Sequence, residues 1–206
     1  MILIGRLLSP FVRRVQVSAN LLGVAMERRP LSTASDAKAI GAFNPLCRVP
    51  ALVLDDGEVL IDSNAILDYL EEVCGPEKAL VPASGAGRRK VLNLTAFAVG
   101  AAEKAVVVFY EKTRRPEDKI WEEWVEKGSA QIRGGLGAIE QAASDDGDWL
   151  VGSKMSQADI SAAVVIEFID VVLPDLIGQR AFPRLRALTA RMNELDGFTS
   201  THPSRE

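Results

Sequence analysis

Asn44-Pro45-Leu46-Cys47-Arg48-Val49-Pro50, then Ala51-Leu52-Val53-Leu54-Asp55-Asp56-Gly57-Glu58-Val59-Leu60-Ile61, then Asp62-Ser63-Asn64-Ala65-Ile66 run without a break, and their reading decides the fold. Two short apolar runs, Ala51–Leu54 and Glu58–Ile61, flank the turn-forming triplet Asp55-Asp56-Gly57, which is the pattern of a β-hairpin. Ser63 then opens a helix with Ile66, Leu67, Leu70 and Val73 expected on one face, closed by Gly75-Pro76. Before the hairpin, Asn44-Pro45 ends a short helix expected over Asp36–Phe43.

Further upstream, Ile2, Leu3, Ile4, Leu7 and Leu8 form an apolar run suited to a strand covered on both faces. Ser9 is a preferred N-cap and Pro10 suits the first helical position. Phe11, Val12, Val15, Ala19 and Leu22 follow at three- and four-residue spacing until Gly23 stops the helix. Val24–Arg29 reads as a second strand, curtailed by Pro30. The expected order is β-α-β-α-β-β-α.

Downstream, Leu80-Val81-Pro82-Ala83-Ser84-Gly85-Ala86-Gly87 has the composition of a linker, and no strand pair follows it. Long helices are expected over Arg88–Lys112 and Pro116–Ser144, the second weakened by Gly134, Gly135 and Gly137. Ser156-Gln157-Ala158-Asp159 has the form of a capping box, with Met155 able to staple onto Ile160. The apolar stretch from Ala162 to Ile177 carries Glu167, Asp170 and Asp175 and reads as a buried core helix. Pro183–Asp196 closes the series. The expectation is an α/β domain over 1–79, a linker over 80–87 and an all-helical domain over 88–206.

Composition narrows the function. The 206 residues are 48% hydrophobic and 25% charged, which supports a packed core, and a net charge of -4 without a basic cluster argues against nucleic-acid binding. Two cysteines and one histidine make neither a disulfide framework nor a zinc site, so no metal is expected. The start, MILIGRLL, has no signal-peptide form, and a cytoplasmic location without membrane attachment is the expectation. Cys47 and Cys74 are expected to pack as small apolar residues, and His202 to stand in a polar tail.

This layout resembles the glutathione transferase superfamily, and local motifs deepen the resemblance. Ser9-Pro10-Phe11-Val12-Arg13-Arg14-Val15 looks like the first-helix motif of its serine-type, bacterial-like members; Val49-Pro50 and Asp62-Ser63 stand at the spacing of its glutathione-binding core; Ser156–Asp159 matches the helix cap of its C-terminal domain. Cys47 and Arg48 depart from the Gly and Lys many members carry. The resemblance implies a thioredoxin-like N-terminal domain, an all-helical C-terminal domain, glutathione as co-substrate, a homodimer, and transfer of the glutathione thiolate to a small apolar electrophile. A glutathione-dependent isomerase or dehalogenase, or a ligand-binding protein without turnover, are the alternatives.

On that resemblance Ser9 is the catalytic residue. A free thiol with a pKa of about 8.5 is mostly protonated at neutral pH. A hydroxyl donating to sulfur, together with the positive end of a helix, favours the thiolate, and lowering the pKa by ~2 units takes roughly 2.7 kcal/mol. Read alone, Ser9 is more readily an N-cap with no chemistry, and the family resemblance reverses that order. Ser9 and Val12 occupy the two positions where a Cys-x-x-Cys pair would stand, which excludes dithiol redox chemistry.

The remaining glutathione contacts implied by the family are Phe11, Arg48, Val49, Asp62 and Ser63. A cis Val49-Pro50 bond would present the Val49 backbone to the cysteinyl unit. Ser63 would hold the γ-glutamyl carboxylate at a helix start, Asp62 the ammonium, and Arg48 the glycine carboxylate. In the helical half, Val106, Val107, Val108, Phe109 and Tyr110 form a candidate wall for the electrophile, with Phe11 facing it and Trp121 and Trp124 as further contributors.

Overall fold

The computed structural model describes residues 1–143 and 149–205. The chain divides into two compact units, Met1–Ala83 together with Met192–Glu206, and Ser84–Arg191.

In the first unit the elements run β1 (Ile2–Ile4), α1 (Pro10–Leu22), β2 (Glu27–Arg29), α2 (Ala37–Gly41), β3 (Ala51–Val53), β4 (Val59–Ile61) and α3 (Ser63–Cys74). This is the β-α-β-α-β-β-α order that the apolar periodicities require. The sheet order is β2-β1-β3-β4, with β1 parallel to β2 and the other pairs antiparallel. The hairpin closes as the turn residues dictate: Leu54 N–H donates to Glu58 O over 2.8 Å, Gly57 takes φ 92°, and the Glu58 amide donates to the Asp56 carboxylate over 3.0 Å. Leu3, Ile4, Val12, Val15, Ile40, Leu52, Ile66 and Leu70 are fully buried and form the core. Each contributes about 1.5–3 kcal/mol relative to an exposed position.

Three local expectations shift. The second strand is confined to Glu27–Arg29: the Val24 amide still closes the end of α1 by donating to Ala19 O over 2.8 Å, and pairing with β1 begins where the Glu27 amide donates to Met1 O over 3.0 Å. Val73 is 52% exposed and not part of the buried face of α3. At about 100° per residue, Cys74 lies nearer than Val73 to the middle of the arc set by Ile66, Leu67 and Leu70, and Cys74 is the half-buried one. The expected linker over 80–87 is shortened, because Gly85–Gly87 already form the first turn of the next helix.

The second unit holds α4 (Gly85–Arg114), α5 (Glu122–Ala142), α6 (Gln157–Val172) and most of α7 (Pro183–Met192). Helix α4 has the length and apolar content to cross a membrane, but its small residues Ala98, Ala101, Ala102 and Ala105 are buried and it packs on α5 and α6. Of the glycines expected to weaken α5, Gly135 is required by this packing while Gly134 and Gly137 face open space, and Gly128 is required as well. A Cβ on Gly128 would lie 2.6 Å from Val108 Cγ2, and one on Gly135 3.2 Å from the Phe97 carbonyl oxygen. Helix α5 starts at Glu122, not Pro116: Glu117–Lys119 form a single 3-10 turn, and Glu111 accepts the Trp121 amide over 3.2 Å. The expected end of this helix at Ser144 lies outside the described residues.

The capping box forms at the start of α6. Asp159, fully buried, accepts from the Leu150 amide at 2.7 Å and from the Ser156 amide and hydroxyl at 2.8 and 2.7 Å. Burial pushes its carboxyl above the ordinary Asp value, against the pull of these hydrogen bonds. Helix α6 is buried nearly all round, as its apolar stretch implies. The last expected helix breaks at Met192, and a short helix α8 (Asp196–Thr199) follows it in the first unit. There the Asn20 side chain donates to Gly197 O over 3.0 Å, Arg13 Nε donates to Thr201 Oγ1 over 3.2 Å, and the Arg13 guanidinium lies 4.5 Å from the centre of the Phe198 ring.

Candidate active site

Three chain segments of the first unit converge because of how α1 is anchored. Ser9 caps α1 in an extended conformation, φ -67° and ψ 121°, with its Oγ accepting the Val12 amide at 3.4 Å. A serine oxygen that accepts through a lone pair keeps its hydrogen to donate elsewhere. Ser9 is half-buried, so that hydrogen has access to a ligand atom at the positive end of the helix.

One turn on, Val12 meets the loop that contains Val49. Gly5, at φ 127°, sits between them: a Cβ there would stand 2.6 Å from Val12 Cγ2 and 2.9 Å from Val49 Cβ. Only glycine combines that dihedral with that approach. The Val49-Pro50 peptide bond is cis, and Val49 is half-buried. Asn44, 2% exposed, organises the loop by donating from its amide to Arg48 O at 2.9 Å and accepting from Leu46 N at 3.0 Å.

On its other side α1 reaches the start of α3. Arg14 Nη1 donates to Ser63 Oγ at 3.0 Å and to Asn64 Oδ1 at 2.9 Å. Asp62 caps α3, its carboxylate accepting the Asn64 amide at 2.8 Å, with its backbone at φ 70° and ψ 134°. A non-glycine residue in this region costs about 1–3 kcal/mol and marks an over-determined local structure. Burial lowers the Arg14 pKa to about 10, opposed by the nearby Asp62 charge, so the guanidinium stays protonated at neutral pH.

Placement of the expected residues is therefore uneven. Ser9, Val49, Asp62 and Ser63 are carried by segments that α1 ties together, and Phe11 is half-buried in its first turn. Arg48 is exposed at the end of the Asn44 loop. Cys47 is exposed and not packed: a positive φ of 53° and a bond from its amide to Asn44 O at 2.8 Å put it on a tight outward turn. In the second unit, Val108 is buried facing Gly128 and leaves the candidate wall, because five consecutive helical residues cannot share one face. Val107 and Tyr110 are exposed and Phe109 half-buried. Trp121 and Trp124 are exposed and stack, with ring centres 6.0 Å apart.

Gly5, Arg14, Asn44 and Asn64 are structural members of the site to which the sequence reading gave no role there. The available signal was the pair Arg13-Arg14 inside a helix whose residues 12–19 are otherwise mostly apolar or small: two charges with no polar face to occupy must be buried for a reason.

Comparison with known proteins follows the same division. The family described as glutathione S-transferase, N-terminal domain, matches residues 3–78, and the glutathione S-transferase C-terminal domain matches residues 122–191. The chain is 29% identical to the maleylacetoacetate isomerase of Pseudomonas aeruginosa, over 94% of this chain and 91% of that protein. It is 30% identical to the maleylpyruvate isomerase of a Ralstonia species, over 94% and 92%. A glutathione S-transferase crystal structure from Methylobacterium radiotolerans, in complex with glutathione sulfonate, superposes with a TM-score of 0.92 at 27% identity, covering 98% of this chain and 94% of that one.

Proposed function

The chain belongs to the glutathione S-transferase family, and on that premise we propose that its first unit binds glutathione and that Ser9 stabilises the thiolate, which adds to an electron-poor carbon of a conjugated carbonyl compound. The observation that carries this reading is the Ser9 hydroxyl, held at the start of α1 by the Val12 amide with its hydrogen left to donate. A neutral hydroxyl and oriented helix amides stabilise an anionic sulfur more than a neutral thiol, so the charged nucleophile is favoured without a general base. The Val49 backbone positions the cysteinyl unit. Asp62 and Ser63 match the ammonium and carboxylate of the γ-glutamyl end, and Phe11 and Arg48 complete the contacts.

Two outcomes share the first step. Thiolate addition to a conjugated carbon–carbon double bond moves an electron pair onto the carbonyl oxygen as an enolate and leaves a single bond about which the adduct rotates. Collapse of the enolate then expels the thiolate and gives the isomerised alkene with glutathione regenerated. Protonation of the enolate instead gives a stable conjugate. Isomerisation, an alternative in the sequence reading, is favoured over conjugation by the relatives named for isomerising maleyl compounds at 29% and 30% identity over nearly the whole chain. Conjugation is the second reading, supported by the glutathione S-transferase structure that superposes over 98% of the chain.

Glutathione supplied at one-twentieth of a cis-configured unsaturated oxo acid separates the two by proton NMR. Complete cis-to-trans conversion with glutathione recovered supports isomerisation. Turnover that stops at one equivalent, with a new thioether signal, assigns conjugation. Absence of both reactions, across this acid and a panel of other electrophiles, would sink the enzymatic reading.

A further inference from the structure

The first unit buries a whole positive charge beneath the start of α3. Arg14 is 2% exposed, and among the described residues its hydrogen-bond acceptors are two neutral oxygens, Ser63 Oγ and Asn64 Oδ1. Its Nε is buried with no hydrogen-bond partner, and no carboxylate among the described residues lies within ion-pair distance of it. The nearest negative influence is Asp62, exposed to solvent, with its carboxylate engaged by the Asn64 amide. A buried charge left without a close counter-ion costs several kcal/mol, and that cost falls when an anion approaches.

We infer that Arg14 is a positioning residue for the carboxylate of the γ-glutamyl end of glutathione, acting through Ser63; this rests on the reading that glutathione binds at the start of α3. The bond from Arg14 occupies a lone pair of Ser63 Oγ, so the hydroxyl hydrogen of Ser63, a residue 2% exposed, is directed away from Arg14 and left to donate to an anion at the helix start. A donor polarised by a charged partner binds a carboxylate more strongly than a free hydroxyl does. The guanidinium and the helix dipole have the same sign, so both favour an anion at this point. Asp62 stays available for the ammonium because its coupling to Arg14 is Coulombic and not a direct bond.

A clip that merely joined α1 to α3 would leave the same hydrogen bonds, so the test must read the ligand carboxylate and not only stability. The probes are glutathione and 4-aminobutyryl-cysteinylglycine, the same tripeptide without the γ-glutamyl α-carboxylate. Calorimetry is run on the wild type, Arg14→Lys and Arg14→Met. The expected result is an affinity for glutathione about tenfold weaker in Arg14→Met and intermediate in Arg14→Lys. Binding of the decarboxylated probe stays within about twofold across all three. KM for glutathione should rise in Arg14→Lys while kcat changes little, since the sulfur end is held by Ser9. Parallel weakening of both probes, or weakening of neither, would overturn the role. If Arg14→Met does not fold, Arg14→Lys with the same two probes decides by the same criterion. A wild type that binds neither probe would remove the underlying site, which is a different result from a wild type that binds glutathione while the Arg14 variants keep the full preference for it.

Discussion

Gly5 and Val49 are separated by so little space that a Cβ on the glycine would stand 2.9 Å from the Val49 Cβ, with Val12 Cγ2 closer still at 2.6 Å. The end of β1 thus fixes the distance between the first turn of α1 and the Val49-Pro50 loop. Gly5→Ala should destabilise the protein by about 2 kcal/mol or more, from overpacking and an unfavourable φ together. It should also raise KM for glutathione, because the displaced atoms belong to both segments. Chemical denaturation and steady-state kinetics on one preparation check both effects; unchanged stability would contradict the packing at this point.

Ser9→Ala removes the hydroxyl proposed to donate to the thiolate. Turnover should fall by roughly a hundredfold or more, while glutathione affinity stays within about twofold because the γ-glutamyl end is unaffected. The cap itself contributes about 1 kcal/mol, so a modest drop in stability should accompany the kinetic change. Rapid spectroscopy of the bound thiolate against pH provides the direct readout: the midpoint should move toward that of the free thiol. A variant with wild-type turnover removes Ser9 from the chemistry.

Asn44→Ala leaves the Arg48 carbonyl and the Leu46 amide without the partners they have at 2.9 and 3.0 Å. The loss should be about 2 kcal/mol in stability. Glutathione KM should rise more than kcat falls, since the loop leads to Val49 and not to Ser9. Hydrogen exchange at Leu46 and Cys47 should accelerate selectively; uniform exchange rates across wild type and variant would show that Asn44 does not hold the loop.

Asp159→Asn keeps the shape of the capping box but cannot accept all three hydrogen bonds, and should cost about 1–3 kcal/mol. Its pH dependence has a definite sign. Burial raises the folded-state pKa of Asp159, so the folded protein binds this proton more tightly than the unfolded chain does. That contribution is fully present below the ordinary Asp value and is lost as pH rises through the folded pKa. The stability gap between wild type and Asp159→Asn should therefore widen on acidification from neutral pH to about 3. Urea unfolding at several pH values tests it, and a gap that narrows would mean the hydrogen bonds outweigh desolvation.

Most of the fold was legible because it rests on local chemistry. The hairpin at Asp55-Asp56-Gly57, the Ser9-Pro10 helix start, the Gly23 stop and the Ser156–Asp159 cap each follow from residues within a few positions of one another. Features set by distant partners were not. Gly135 read as helix-weakening until α4 is packed against it, Gly128 drew no notice, and Val73 read as core by spacing alone. At the candidate site, Ser9, Val49, Asp62 and Ser63 are nominated by motif. Arg14 and Gly5 owe their roles to contacts made across 49 and 44 positions of chain, with Ser63 and Val49, which no local pattern encodes.

The return of Met192–Glu206 to the first unit makes the helical unit an interruption rather than a sequel. Phe198 and Thr201, which cover the buried guanidinium of Arg13, are translated after the whole helical unit although they complete a unit translated before it. A chimera that joins residues 1–83 to the helices of a relative would strand that guanidinium beside a foreign terminus. Exchange of the two units between relatives should succeed when residues 192–206 travel with residues 1–83, and the nascent first unit cannot reach its final form until residues 192–206 have emerged.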